Sequence, residues 1–316
     1  DGKVCDGEDK NFTITVNPTA QVDQPIDQVV YHQGTTTSVL FTTENTGGIT
    51  TYTWTNNTPS IGLSDSGSGD ILAFTAINTT STPVTAIITV TPVFENGGVV
   101  CDGENKTFTI TVNPTAQVDD IANQVVCNLD EVNVLFSTQN TSGTSIYNWT
   151  SDVEIGAGLS GTGDMNFTAT NITTAPIVAT ISVIPSFTSG GITNIGDVIS
   201  FTITVNPTAQ VDQPLDQVVC NLDEVSVLFS TQNTGGSTSY SWVSDTQIGA
   251  GLSGTGDMDF TATNITTEPV VATITVTPTF ENGGIVCDGE DKTFTITVNP
   301  TAQVDQPLDQ VVCNLD

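Results

Sequence analysis

The chain has 316 residues, with 35 Asp and Glu against four Lys and no Arg, for a formal net charge of −31 at pH 7. A surface this acidic repels nucleic acid and anionic lipid, which excludes both as partners. A single histidine, His32, rules out a repeated His-based catalytic site, and no stretch approaches the ~18 consecutive apolar residues of a membrane span.

The string Phe-Thr-Ile-Thr-Val-Asn-Pro-Thr-Ala-Gln-Val-Asp occurs four times, at Phe12–Asp23, Phe108–Asp119, Phe201–Asp212 and Phe294–Asp305. Its Asn-Pro step falls at Asn17, Asn113, Asn206 and Asn299. A spacing of about 95 residues is too long for a solenoid unit and right for a whole small domain. The expected divisions are a last strand of a preceding repeat (1–17), three β-sandwich repeats (18–113, 114–206 and 207–299), and the first strand of a following repeat (300–316). The chain therefore reads as a slice of a longer array.

Within 207–299, strands are expected in the order Val225–Ser230, Ser239–Val243, Phe260–Thr263, Val271–Thr277 and Phe294–Val298. Each alternates apolar and polar residues and is rich in β-branched side chains, the mark of a half-buried strand. Gly, Asn, Asp and Pro separate the runs, and nothing has helical periodicity. The fold class is all-β: tandem Ig-like, seven-stranded antiparallel sandwiches stacked end to end. Three units would span on the order of 100 Å, given strands of ~20–25 Å plus loops. Trp54, Trp149 and Trp242 each follow a tyrosine by two residues, at Tyr52, Tyr147 and Tyr240. A Trp on the third strand fills the centre of such a sandwich, so all three are assigned to the core rather than to a sugar-stacking platform.

Six cysteines occupy two kinds of site. An early site follows Gln-Val-Val (Cys127, Cys220, Cys313), with Tyr31 in its place in the first repeat. A late site precedes Asp-Gly (Cys5, Cys101, Cys287), with Asn194 in its place in the second. Pairing each early site with the late site of the following repeat sets Tyr31 against Asn194 and Cys127 against Cys287, with no thiol facing a non-thiol. Those two loops would also meet where consecutive sandwiches stack, whereas thiols within one sandwich would lie a strand length apart, ~20 Å. The expectation is an inter-domain Cys127–Cys287 disulfide. A Cys220–Cys287 bridge within a repeat, or buried free thiols, are the alternatives. Either bridge implies an oxidising location.

No cofactor is expected, with calcium the one candidate. Asp288, Glu290 and Asp291 could supply oxygen ligands together with Asp130 and Glu131 from the facing pole, although calcium needs six to eight oxygens. A solvated, screened surface is the plainer reading. Exposed Thr-x-Thr faces such as Thr295 and Thr297 reflect β-propensity. Sequons such as Asn78-Thr-Thr80 and Asn264-Ile-Thr266 are attributed to an Asn- and Thr-rich composition. The Ser-Gly-Thr-Gly-Asp loop lacks the helix and Lys of a phosphate site.

The Tyr-x-Trp strand resembles that of PKD domains, although those usually continue into Asp-Phe-Gly-Asp-Gly where this chain has Thr55-Asn-Asn57. A nearer likeness is to the PKD-like repeats of giant Bacteroidetes surface adhesins of gliding motility. These share Thr293–Pro300, Gln217–Cys220 and the Gly251–Asp257 loop. The resemblance implies type IX secretion, display on the outer membrane, and outer-membrane motility and secretion machinery as partners.

Two functions follow. One is a structural stalk or filament segment of an extracellular, surface-attached adhesin. Its partners are neighbouring repeats, and other parts of the protein meet the surface or polysaccharide. The other is a repeated module gripping polysaccharide or surfaces through its loops, gaining from multivalency. An enzyme is not expected.

Overall fold

The computed structural model describes residues 1–312. The first repeat contains β1 (Gln28–Tyr31), β2 (Ile49–Asn56), β3 (Ser66–Ser68), β4 (Val84–Asn96), β5 (Val99–Asp102) and β6 (Lys106–Asn113). The second contains β7 (Gln124–Cys127), β8 (Glu131–Val134), β9 (Thr144–Ser151), β10 (Ser160–Thr162), β11 (Met165–Thr168), β12 (Ile177–Ser189), β13 (Ile192–Ile195) and β14 (Ile199–Asn206). The third contains β15 (Gln217–Cys220), β16 (Glu224–Val227), β17 (Ser237–Ser244), β18 (Ser253–Thr255), β19 (Met258–Thr261), β20 (Val270–Asn282), β21 (Ile285–Asp288) and β22 (Lys292–Asn299). The only helical element among the described residues is a 3-10 turn at Pro59–Ile61.

Each repeat has one six-stranded sheet, in the order β1-β6-β4-β2-β3, β7-β14-β12-β9-β10 and β15-β22-β20-β17-β18, with β5, β13 and β21 as the sixth strands, paired off this path to β4, β12 and β20. A second, smaller layer is the pair β8–β11 or β16–β19. In the first repeat it is reduced to the bridges Thr35↔Thr75 and Val39↔Ile71. The ladders are antiparallel except that the first strand runs parallel to the last, as Gln217↔Ile296 through Cys220↔Asn299. The first strand enters in the direction in which its own repeat will leave.

Alternation builds the core. Val270, Ala272 and Ile274 on β20 face Val298, Ile296 and Phe294 on β22. Ala272, Ile274, Ile296 and Val298 are fully buried. Burying one such aliphatic side chain contributes ~1.5–3 kcal/mol. Strand β20 runs five residues past the expected end at Thr277, straight through Pro278. Proline is tolerated there because β22 stops pairing at Val276 and β21 starts at Thr279. The missing N–H falls in the gap between two partners.

By compactness the chain forms two units. One comprises Asp1–Asp120, Phe136–Asn148 and Val183–Ile199; the other comprises Ile121–Leu135, Trp149–Ser182 and the chain from Ser200 onward. Each holds one complete sandwich and the end of the second repeat that adjoins it. Phe12–Val16, expected as a strand, has no ladder partner, and Phe12, Ile14 and Val16 are exposed. Its counterparts β6, β14 and β22 pair with earlier strands of their own repeats. Residues 300–312 likewise carry no strand.

Candidate functional site at the repeat joints

The residues that meet between consecutive repeats come from the Asn-Pro step and from a glycine-rich hairpin of the next repeat. That hairpin reads Asn96-Gly-Gly, Ser189-Gly-Gly and Asn282-Gly-Gly in the three repeats. Both glycines of each pair have positive φ, as at Gly283 (62°) and Gly284 (78°). This two-residue turn needs glycine or asparagine and matches the strand twist.

In the second unit, Asn206 donates from Nδ2 to the Asn282 carbonyl at 3.0 Å, and Asn282 donates back to Asn206 Oδ1 at 2.9 Å. In the first unit Asn17 and Asn96 make the same exchange, at 3.0 Å each way. Asn113 and Asn206 are fully buried. The proline after each asparagine ends the strand, and the asparagine side chain closes the joint. This asparagine is assigned no partner from the sequence. The available signal was that Asn-Gly-Gly recurs at the same offset from the string.

The joint that follows Asn113 differs. Ser189 stands where Asn96 and Asn282 stand elsewhere. Asn113 still donates to the carbonyls of Ser189 (2.8 Å) and Ile192 (3.3 Å). No amide returns, because the Ser189 hydroxyl donates to the Ser142 carbonyl instead. Asn113 Oδ1 is left buried without a hydrogen-bond partner. A second clamp is common to the joints after Asn113 and Asn206: Thr141 N–H donates to Ser81 O (3.1 Å), and Thr234 N–H to Thr174 O (2.9 Å).

Cys127 and Cys287 are joined by a disulfide, with Cα atoms 5.5 Å apart and 160 residues between them in sequence. It links the first strand of the second repeat to the late hairpin of the third. Cys220 is free and exposed, so no bridge forms within the third repeat; Cys5 and Cys101 are also free. Cys313 lies outside the described residues. At the other joint Tyr31 and Asn194 face the same groove, and Asn194 Nδ2 donates to the Pro114 carbonyl at 3.1 Å.

The acidic candidates are partly committed locally. Asp130 accepts from the Cys127 N–H at 2.8 Å, Glu131 from the Thr168 hydroxyl at 3.0 Å, and Asp291 from the Thr277 hydroxyl at 2.6 Å. Asp288 and Glu290 lie on the same hairpin arm. Among the described residues no group of three or more His, Cys, Asp or Glu is placed to hold a metal.

Three motifs acquire structural roles. Trp54, Trp149 and Trp242 are buried. The glycine of each Ser-Gly-Thr or Ser-Gly-Ser strand lies flat on the indole: a Cβ on Gly254 would come within 2.3 Å of Trp242 Cζ2. The sequon asparagines are interior clips. Asn264 Nδ2 donates to the carbonyls of Val298 (2.7 Å) and Glu268 (2.9 Å), while its Oδ1 accepts from Thr266 N–H and Oγ1. Asn78 and Asn171 do the same. Composition alone therefore does not account for Asn-x-Thr. His32 Nδ1 accepts from Asn78 N–H at 3.0 Å, where Asn128 and Asn221 serve Asn171 and Asn264.

Hydrogen bonding also sets the local electrostatics. The Ser230 hydroxyl, then Gln232, hold Asp212 below the usual carboxylate range. The Thr273 backbone N–H does so first for Asp245, and the Gly158 and Gly156 N–H groups for Glu154. Burial, then the charges of Asp212 and Asp257, push the Tyr240 hydroxyl up.

No family model matches the chain, and no curated protein matches it in sequence. Among solved structures it is similar to the three N-terminal domains of the Highly Immunogenic Outer Capsid protein of bacteriophage RB49. The identity is 13%, covering 90% of this chain and 99% of that one, with a TM-score of 0.44. Mouse cadherin-23 EC22-24 is 14% identical over 90% of this chain and 99% of its own (TM-score 0.38). Drosophila N-cadherin EC1-4 is 13% identical over 91% and 76% (TM-score 0.35). Likenesses this remote carry no functional argument, and the sheet order defines the fold.

Proposed function

We propose that the chain is a spacer segment of a giant bacterial cell-surface adhesin, displayed outside the cell and serving attachment and gliding motility. The observation that supports this most is the joint. Its asparagine enters the turn of the next repeat, and in one case a disulfide ties the two repeats together. A spacer must pass tension from repeat to repeat without letting the joint open first. The disulfide fits an oxidising, extracellular setting. The bacterial origin and the motility role rest on the resemblance of the Thr-Phe-Thr-Ile-Thr-Val-Asn-Pro, Gln-Val-Val-Cys and Gly-Leu-Ser-Gly-Thr-Gly-Asp motifs. In this reading the −31 charge is balanced by diffuse counterions. Calcium and magnesium at equal ionic strength then raise the melting temperature alike.

The test is to remove one repeat from the full-length protein on living cells. Attachment and gliding should fall while the adhesive ligand is still bound. Undiminished attachment and gliding, or an antibody to the repeats that fails to label intact cells, contradicts the proposal.

A further inference from the structure

Two departures from the common repeat at the joint after Asn113 lie in segments that face each other. The early turn reads Cys-Asn-Leu-Asp at Cys127–Asp130 and Cys220–Asp223, but Tyr31-His-Gln-Gly34 in the first repeat. The late hairpin arm reads Cys-Asp-Gly-Glu at Cys101–Glu104 and Cys287–Glu290, but Asn194-Ile-Gly-Asp197 in the second. These two changed segments are about 160 residues apart in sequence, the separation of the Cys127–Cys287 pair. They meet in one groove of about 550 Å³ lined by Tyr31, His32, Gln33, Asn194, Ile195 and Asp197, with Thr115 on its wall.

The lining has a definite chemistry. Tyr31 is 43% exposed, so part of its ring faces solvent. Asn194 is oriented by its bond to Pro114 O, and His32 by the Asn78 N–H on its Nδ1. Asn194 Oδ1, the Gln33 amide and the Asp197 carboxylate offer acceptors and donors in the same groove as the part-exposed Tyr31. Sugars present C–H faces that stack on an aromatic ring and hydroxyls that both donate and accept. The chain's acidity disfavours anionic ligands. The groove is mostly polar rather than a deep apolar slot, which disfavours a hydrophobic peptide anchor.

We propose that this joint has exchanged the disulfide of its neighbour for a binding groove that takes a neutral oligosaccharide stacked on Tyr31. Among the described residues this set of lining side chains, with Tyr31 and Asn194 in place of cysteines, occurs at one joint. Titrating the ¹⁵N-labelled chain with millimolar cellotetraose, maltotetraose, chitotetraose and mannotetraose tests this. At least one sugar should shift the backbone amides of His32, Gln33, Asn194 and Asp197. Tyr31→Ala should weaken that binding about tenfold or more at unchanged melting temperature. The pair Tyr31→Cys with Asn194→Cys, oxidised, should close the groove and abolish it. Absence of shifts with all four sugars, or binding unaffected by Tyr31→Ala in a folded protein, overturns the proposal. So does a response confined to amides away from the groove.

Discussion

Asn206 and Asn282, 76 residues apart, exchange side-chain hydrogen bonds of 3.0 and 2.9 Å and lock the end of one repeat into the turn of the next. Both partners matter, because a buried amide that keeps only its donor side leaves an acceptor without a protein partner. The joint after Asn113 shows that outcome, since Ser189 supplies no amide.

Ser189→Asn should therefore stabilise the first unit and Asn282→Ser should destabilise the second. A buried acceptor without a partner costs ~1–3 kcal/mol. Calorimetry of the two variants should show melting shifts of opposite sign. Shifts of the same sign would remove the amide exchange from the account.

Gly254→Ala should be costly although the change is one methyl group. The added Cβ would come within 2.3 Å of the Trp242 ring, which is packed in the core. Overpacking of this kind costs ~1–3 kcal/mol. The denaturation midpoint should fall and Trp242 fluorescence should change. Gly256→Ala is the contrasting case, with open space around its Cβ but a φ of 69°. It should strain the backbone and leave the fluorescence unchanged.

Asn264→Asp is nearly isosteric, yet it should destabilise the third repeat. The Asn264 amide donates to two carbonyls, of Val298 and Glu268, and a carboxylate would oppose both. Loss of these bonds with a buried charge costs several kcal/mol, on the order of 3 or more. Chemical denaturation measures it, and a wild-type midpoint would contradict the clip assigned to this asparagine.

Asp245 gives a pH signature. Its carboxylate accepts from the Thr273 N–H at 2.8 Å, and that bond is the main reason its pKa is held below the ordinary range. A depressed folded pKa adds stability above the unfolded value and loses it as pH falls through the folded value. Asn57 already fills the equivalent place in the first repeat, accepting from Ile87 N–H at 2.8 Å. Asp245→Asn should thus keep the fold and melt lower than wild type near neutrality. The difference should close as pH drops well below the ordinary Asp value of about 3.9. A difference that is constant with pH would contradict the assignment.

The sandwich and its strands were legible because alternation such as Phe294-Thr-Ile-Thr-Val298 reports burial directly. Three short strands of the third repeat, Gln217–Cys220, Ser253–Thr255 and Ile285–Asp288, were not assigned. None alternates apolar with polar residues: Gln217–Cys220 and Ile285–Asp288 run apolar residues together, and Ser253–Thr255 has none. Pro278 concealed the true length of β20, since only the handover between β21 and β22 makes a proline harmless there. The Cys127–Cys287 pairing could be read from complementary substitutions. The sequon clips could not, because their partners are mostly backbone carbonyls, which leave no trace in side-chain identity, and the asparagine exchange left only the recurrent Asn-Gly-Gly.

The linkage of Cys127 to Cys287 is the measurement closest to the centre of this account. Digestion of the intact, non-reduced chain, with free thiols blocked first, should yield one peptide pair joining Cys127 and Cys287, with Cys220 recovered as a blocked thiol. A pair joining Cys220 to Cys287 would place the bridge inside one repeat and contradict the stapled joint.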